Sequence, residues 1–157
     1  MSPRARDDAT IALRELILAG ERYRIAVAAH LDLTVNESRA ISYLLARGPM
    51  GQTDLSAELG LTTSSTTTLL DRLEQREMVR RVPDPSDRRR STVEIPESGV
   101  RRLREVRNWM PRAFDPIGAD DLPGVAATLG TVAAALRSVT AEIDAARAER
   151  SGRRKRH

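Results

Sequence analysis

Apolar residues recur at intervals of three and four through most of the chain, and this spacing predicts a largely helical protein. Near the N-terminus it predicts a first helix over residues 8–31. The stripe of this helix consists of Leu13, Leu16, Gly20, Tyr23, Val27 and His30. A second helix is expected to begin at the capping-box pattern of Thr34 and Glu37 and to end near Gly48.

A helix-turn-helix followed by a β-hairpin is predicted in the middle of the chain. Two short helices are joined at Gly60, which suits the end of the first, and Thr62 or Thr63 begins the second. Two extended runs then flank a turn-rich charged loop, which is the pattern of a hairpin. The helices cover residues 53–59 and about 62–77, and the strands lie within 78–82 and 91–95.

The apolar spacing in the C-terminal part of the chain predicts two further helices. A fifth helix follows Pro96 and is expected to end at Pro111, and an irregular connector separates it from a sixth helix over residues 121–147. The sixth helix carries a two-position heptad seam that suits packing against another helix. The seam consists of Leu122, Val125, Leu129, Val132, Leu136, Val139 and Ile143. The basic tail, 149–157, is predicted to be disordered.

The composition of the chain excludes several kinds of site and function. The 157 residues include no cysteine and two histidines, so thiolate or histidine-rich metal sites within one chain are excluded, and no cofactor is expected. No apolar run approaches the roughly 20 residues of a membrane span, and the polar N-terminus does not resemble a signal peptide. We therefore expect a cytoplasmic protein without membrane contact. No nucleophile–base set or glycine-rich phosphate loop is present, so an enzyme is not expected.

The charge distribution points to local basic patches. The net charge is +4, but the C-terminal tail supplies all of it, and the remainder of the chain is close to neutral. Within that remainder, arginine exceeds acid in residues 71–107, which include the predicted hairpin. An anionic partner is therefore expected to meet this region rather than a uniformly basic surface.

Seven consecutive hydroxyl residues, Thr62 to Thr68, open the fourth helix. Such residues are poor helix formers, and an ordinary helix cap needs only one of them. They suit DNA, because hydroxyl groups bond phosphates and base edges and a threonine methyl contacts thymine. The three arginines at 88–90 suit either a solvated turn or a wing in the minor groove, where negative potential favours arginine. Beside a helix-turn-helix we favour the wing.

Four segments, taken in order, resemble the multiple antibiotic resistance regulator (MarR) family of dimeric winged-helix transcription factors. Residues 54–59 resemble the first motif helix, 65–74 the recognition helix, 84–89 the signature wing, and 93–99 the return strand and following turn. The resemblance covers roughly residues 8–148. It implies a fold that is mainly α with a small β-hairpin wing (α+β), a winged helix-turn-helix with N- and C-terminal dimerisation helices.

The resemblance also implies a function. It indicates a sequence-specific DNA-binding regulator, expected to be a repressor, that acts as a homodimer on a pseudo-palindromic operator in double-stranded DNA. The expected dimerisation helices are 8–31, 99–110 and 121–147. The expected domains are 1–34 for N-terminal dimerisation, 35–98 for DNA binding, and 99–148 for C-terminal dimerisation.

The residues expected at the DNA follow from the hydroxyl run and from the resemblance. Arg89 matches the wing-tip arginine of the family, and Asp87 is expected to orient it. The full expected set is Thr53, Ser64, Ser65, Thr66, Thr67, Thr68, Arg72, Asp87, Arg88, Arg89 and Arg90.

The chain departs from the family pattern at three positions. Thr68 stands where many members carry a basic residue, which shifts the expected phosphate contact to Arg72. Glu77 stands where glycine is usual after the recognition helix, so a different turn is expected there. Pro96 replaces a Ser/Thr-like cap, so the fifth helix must begin by another device.

Ligand control is a further implication of the resemblance. Family members often bind small aromatic anions between the dimerisation helices and the winged helix, so release by a small aromatic or phenolic ligand is expected. The lining candidates are Arg14, Tyr23, Tyr43 and Trp109. A packing role explains each aromatic residue on its own. The alternative function is a winged-helix protein-interaction module without sequence-specific DNA binding.

Overall fold

The computed structural model describes residues 3–83 and 91–154, and it includes the side chains of residues 4–83 and 91–150. Its elements are α1 (Pro3–His30), α2 (Val35–Arg47), β1 (Met50–Gly51), α3 (Gln52–Leu59), α4 (Thr63–Gln75), β2 (Arg80–Pro83), β3 (Ser91–Glu94), α5 (Glu97–Arg102), α6 (Arg104–Trp109), a 3₁₀ helix (Met110–Phe114) and α7 (Leu122–Arg154). The chain divides into two compact units, residues 1–108 and 109–157. The predicted class, mainly helical with a small sheet, is confirmed.

The core of the first unit lies beneath the helix-turn-helix. The capping box is present as predicted, because Glu37 N donates to Thr34 Oγ1 and Thr34 N donates to the Glu37 carboxylate. Gly60 ends α3 in the left-handed conformation. The buried core consists of Leu33, Ala40, Ile41, Leu44, Leu55, Leu59, Leu69, Leu70, Leu73, Met78, Val79, Val93 and Leu103. Apolar residues from α2, α3, α4 and β3 therefore share one core, which fixes the helix-turn-helix against the hairpin.

The hairpin belongs to a three-stranded antiparallel sheet with the strand order β1-β3-β2. Arg81 pairs with Val93 across β2 and β3, and Met50 of β1 pairs with Val93 from the other side. The sequence did not predict β1, because two residues are too few to show a strand periodicity. Residues 84–90 lie outside the described residues, and with them Asp87, Arg88, Arg89 and Arg90.

The turn after α4 keeps a left-handed conformation although it contains no glycine. Glu77 has φ 55°, and Met78 N donates to Leu73 O at 2.9 Å, which is the hydrogen bond of a Schellman helix end. The turn therefore retains the backbone that glycine favours, contrary to the expectation of a different turn. Asp32 ends α1 in the same way, with φ 51° and a bond from Leu33 N to Ala28 O.

We expect Glu77→Gly to stabilise the protein by about 0.5–1 kcal/mol, because glycine removes the Cβ clash of the left-handed conformation at some cost in unfolded-state entropy. Urea unfolding measures the change. The matched control is Glu77→Ala, which removes the exposed carboxylate but keeps Cβ. If alanine stabilises as much as glycine, the gain comes from charge and not from the backbone.

The predicted fifth helix is wrong as a single element. It is broken at Leu103 into α5 and α6, and a 3₁₀ helix follows. Leu103 is fully buried in the core, and Leu103 N donates to Gly99 O and Arg107 N to Leu103 O, both at 2.9 Å, so the interruption is confined to one residue. Pro96 occupies the N-cap position without a side-chain hydrogen bond, and Val100 N donates to Pro96 O at 2.9 Å.

The second unit is dominated by α7, which is longer than predicted. The helix continues to Arg154, so residues 149–154 of the predicted tail are helical, and only 155–157 of it lie outside the described residues. No side chain from residue 122 to 150 is buried within the chain. The apolar seam is therefore uncovered, with Leu136 40% and Ile143 61% exposed.

The expectation that no segment is long and apolar enough for a membrane span is wrong for α7. By length and composition, Leu122–Arg150 meets that criterion, and it is the one such helix among the described residues. This is weak support for a membrane span, because a helix whose apolar seam packs against another protein chain has the same length and composition.

Candidate nucleic-acid interface

The helix-turn-helix is held by contacts from α2 to the end of α3. Arg39 donates to Leu59 O at 3.1 Å, and the Tyr43 hydroxyl donates to Glu58 O at 3.1 Å. Arg47 forms an ion pair with the Glu58 carboxylate, and this hydrogen bond raises the pKa of Arg47. These contacts satisfy the carbonyl groups that a helix end leaves without partners, so α3 is fixed before the turn into α4.

The fourth helix has one buried and one exposed face. Its buried face consists of Thr66, Leu69, Leu70 and Leu73. Its exposed face includes Ser64, Thr68, Asp71, Arg72 and Gln75. An apolar stripe therefore anchors the helix in the core and leaves a polar surface free for a partner, as a recognition helix requires.

The hydroxyl run divides into a cap and a set of internal bonds. Thr62 Oγ1 accepts from Ser65 N at 3.2 Å, which identifies Thr62 as the cap. The hydroxyl groups of Thr66, Thr67 and Thr68 each donate to the carbonyl four residues earlier, at 3.0, 2.9 and 3.2 Å. Much of the hydrogen-bonding capacity that the sequence offers to DNA is thus used within the helix.

Two of the residues expected at the DNA, Thr66 and Thr53, differ in their exposure. Thr66 is 0% exposed, so its assignment to the DNA surface is wrong in this structure; its place on the core stripe could have been read from the spacing of Leu69, Leu70 and Leu73. Thr53 is exposed in the first turn of α3, which begins one residue before the predicted start.

Sequence reasoning missed Gln52, which joins the two motif helices. Gln52 Nε2 donates to Thr67 Oγ1 at 2.7 Å, so the first residue of α3 contacts the recognition helix. A polar residue directly before the predicted third helix was the available signal, but its partner lies 15 positions away.

Arg81 connects the hairpin to the recognition helix. Its guanidinium group lies 2.9 Å from the Asp71 carboxylate, pairs with Glu74, and donates to Thr67 O at 3.3 Å. Its backbone N–H also donates to Glu74 at 2.8 Å. The two acidic residues of α4 thus share one cationic partner, which compensates part of their negative charge at the strand that leads into the wing. No role was predicted for Arg81 from the sequence, because only the fold brings it beside α4.

Arg76 connects the end of α4 to the end of α1. It donates to Leu31 O at 3.0 Å and to Asp32 O, and it lies 3.5 Å from the Asp32 carboxylate. An arginine at the C-terminal carbonyls of a helix is favourable because the helix dipole is negative there. The position of the recognition helix is thus tied to the first helix.

The candidate ligand-binding residues differ in exposure and in the bonds that they make. Arg14 is exposed, Tyr43 uses its hydroxyl to hold α3, and burial raises the pKa of Tyr23. Trp109 belongs to the second unit. A groove along α1 is lined by Glu15, Leu18, Ala19, Glu21, Arg22 and Ile25, and so includes none of the four.

Comparison with known proteins identifies the type of winged helix. Residues 33–91, from the end of α1 to the start of β3, match the model of the MarR family. The resemblance expected from the sequence is therefore confirmed: this winged helix-turn-helix is of the MarR family type.

Individual relatives agree with this assignment. The uncharacterised HTH-type transcriptional regulator YsmB of Bacillus subtilis is 38% identical over 66 residues, 42% of this chain and 45% of that protein. The chain thus spans less than half the length of the curated relatives that it matches.

Two solved structures share the fold. A MarR family protein from Bacillus stearothermophilus superposes with a TM-score of 0.64 at 19% identity, covering 87% of this chain and 98% of that one. A mutant of MepR from S. aureus bound to an oligodeoxyribonucleotide has a TM-score of 0.52 at 19% identity, covering 82% and 97%.

Proposed function

We propose that the protein is a sequence-specific DNA-binding transcriptional regulator. The observation that carries the proposal is the winged helix-turn-helix itself, in which α4 buries one face in the core, exposes a polar face, and is joined by Arg81 to the strand that enters the wing. Such a helix fits the major groove of B-DNA. The oligonucleotide bound by the MepR mutant supports DNA as the partner.

The proposed active form is a homodimer. Residues 1–34 and 99–148 supply the dimerisation helices, and 35–98 form the DNA-binding domain. The exposed seam of α7 supports this proposal, because five of its seven apolar residues are exposed in the chain and the other two are only half-buried. A two-fold dimer places two recognition helices about one helical turn apart, which predicts an inverted-repeat operator.

Selection of bound duplexes from a random DNA pool tests the proposal. We expect an inverted repeat to be recovered, and binding to weaken steeply with added salt because phosphate contacts release counterions. Recovery of no preferred sequence would contradict the proposed function and favour a protein-interaction module.

We expect Arg89→Ala to weaken operator binding by about 1–3 kcal/mol, the scale of one good specific contact. Arg89 is the position that matches the wing-tip arginine of the family. A fluorescence-anisotropy titration at fixed salt measures the change. Arg89→Lys is the matched control, since it keeps the charge but loses the planar guanidinium group. Unchanged affinity of the alanine variant contradicts the wing assignment.

Repression, ligand release and a cytoplasmic location complete the proposal and rest on the resemblance. Repeating the selection with aromatic or phenolic acids present tests release directly. Loss of the recovered inverted repeat in the presence of one such acid, with retention in an aliphatic acid of the same charge, supports a ligand-controlled regulator. Recovery of the same repeat with every acid contradicts release by this class of ligand.

A further inference from the structure

We propose that Thr68, flanked by Thr67, reads thymine through its methyl group, so that the operator carries an A·T pair opposite this position in each half-site. The inference rests on the proposed DNA-binding function and names the feature of DNA that the recognition helix selects. It follows from the hydrogen bonds already made within α4.

The hydroxyl hydrogens of both residues are committed to their own helix. Thr67 Oγ1 donates to Thr63 O at 2.9 Å, and Thr68 Oγ1 donates to Ser64 O at 3.2 Å. A hydroxyl group has one hydrogen and two acceptor lone pairs. Each side chain therefore has no donor left for a base, and Thr67 Oγ1 has also used one lone pair to accept from Gln52. What remains at Thr68 is an acceptor oxygen and a methyl group.

This combination fits one kind of base pair. In the major groove guanine presents only acceptors, and an acceptor cannot bond to them. An A·T pair presents the adenine N6 amino group, which donates, and the thymine methyl, which makes an apolar contact. A G·C pair presents the cytosine N4 amino group but no methyl group. The methyl group of Thr68 is therefore matched only by the thymine of an A·T pair, and its hydroxyl oxygen, which bonds within α4, needs no partner on the DNA.

Thr68 is placed to make the contact, and its surroundings do not oppose it. It lies on the exposed face of α4, four residues from Ser64 and from Arg72, whereas Thr67 is half-buried between Gln52 and Arg81. The carboxylate of Asp71 on the same face is paired with Arg81 at 2.9 Å, which reduces its repulsion of phosphate groups. A basic side chain at position 68 would instead favour a phosphate contact.

The free donors of the hydroxyl run lie nearer the start of the helix. Thr62 gives its hydrogen to Ser65 Oγ at 2.8 Å, so Ser64 is the donor in its 3.1 Å contact with Thr62. Ser65 therefore keeps its own hydrogen for an outside acceptor. Donor contacts are thus expected from the first turn, and apolar contact from the second.

The experiment uses the full-length protein and the operator recovered by selection. One thymine in each half-site is replaced by deoxyuridine, which removes only the methyl group, and each symmetric pair of positions is tested in turn. At one pair we expect affinity to fall about fifteenfold, since one buried methyl group is worth about a factor of four and two are removed. Deoxyuridine at the other pairs of positions should change affinity less than about twofold, because the protein does not contact the methyl groups removed there.

Two variants of nearly equal size separate the methyl group from the hydroxyl group. Thr68→Ser keeps the hydroxyl and is expected to lose about the same fifteenfold, with little further loss on the deoxyuridine operator. Thr68→Val keeps the methyl group and is expected to bind within about threefold of wild type and to remain sensitive to deoxyuridine. Thermal unfolding confirms that both variants are folded.

The outcomes distinguish this inference from the proposed function. Tolerance of deoxyuridine at every thymine overturns the methyl readout and leaves sequence-specific binding in place. The methyl readout is also overturned if Thr68→Val loses affinity and Thr68→Ser does not. The hydroxyl group, and not the methyl group, would then contact DNA. Selection without any preferred site contradicts the proposed function itself.

Discussion

Replacing Leu136 by glutamate should dissociate the proposed homodimer and abolish tight binding to the proposed operator. Leu136 lies in the middle of the α7 seam and is 40% exposed in the single chain, so in the proposed dimer two copies of it meet apolar surface. Burying an unpaired carboxylate there costs about 3 kcal/mol or more per dimer, which corresponds to at least about a hundredfold weaker association. Sedimentation velocity over a concentration series measures the change in association.

The matched control is Ala134→Glu. At 100° per residue, Ala134 lies on the opposite side of α7 from the seam and is exposed, so the same charge is added without facing the partner. The control should remain dimeric and should bind the operator nearly as wild type does. Equal dissociation by both variants would mean that α7 tolerates no added charge, and the seam assignment would fail.

Gly99→Ala should destabilise the protein by about 3 kcal/mol, at the upper end of the cost of overpacking a core. A Cβ at Gly99 would lie 2.6 Å from Met78 O and 2.9 Å from Ile95 Cγ2. The carbonyl oxygen is a backbone atom of the residue after the turn that ends α4, and Met78 N is itself bonded to Leu73 O, so the oxygen cannot move aside without shifting the backbone. Urea unfolding measures the loss.

Gly20→Ala is the control for this substitution. Gly20 lies inside α1, and no atom would lie within 4 Å of its Cβ. Alanine there should stabilise the protein by about 0.5–1 kcal/mol, because glycine is unfavourable in a helix interior. Equal behaviour of the two alanine variants would show that the contact at Gly99 does not restrain the turn.

Patterns that repeat along the chain predicted most of the fold. The apolar spacing placed α1, α2, α4 and α7, and local chemistry placed the capping box of Thr34 and the left-handed end at Gly60. The errors arose where a distant contact overrides a local preference. The interruption at Leu103 has no local signal in the sequence, and β1 was missed because it is defined by its pairing with β3.

The candidate interface was predicted as a location more reliably than as a set of contacts. The hydroxyl run correctly placed the start of α4, which lies within the residues that match the MarR family model. The sequence could not show that Thr66 is buried or that Arg81 pairs with Asp71 and Glu74, because both follow from packing between α4 and the hairpin. The hydroxyl groups of α4 that remain free for DNA depend on hydrogen bonds within the protein, which the sequence does not show.

The uncovered length of α7 has a consequence for the thermodynamics of the whole molecule. An isolated helix owes little stability to its own propensity, and no side chain between 122 and 150 is buried within the chain. In the proposed homodimer, helix formation in α7 is coupled to association, so helicity at 222 nm and the midpoint of thermal unfolding should both rise with protein concentration. A lower protein concentration would thus reduce the helical fraction of α7 together with the fraction of operator that the proposed dimer occupies.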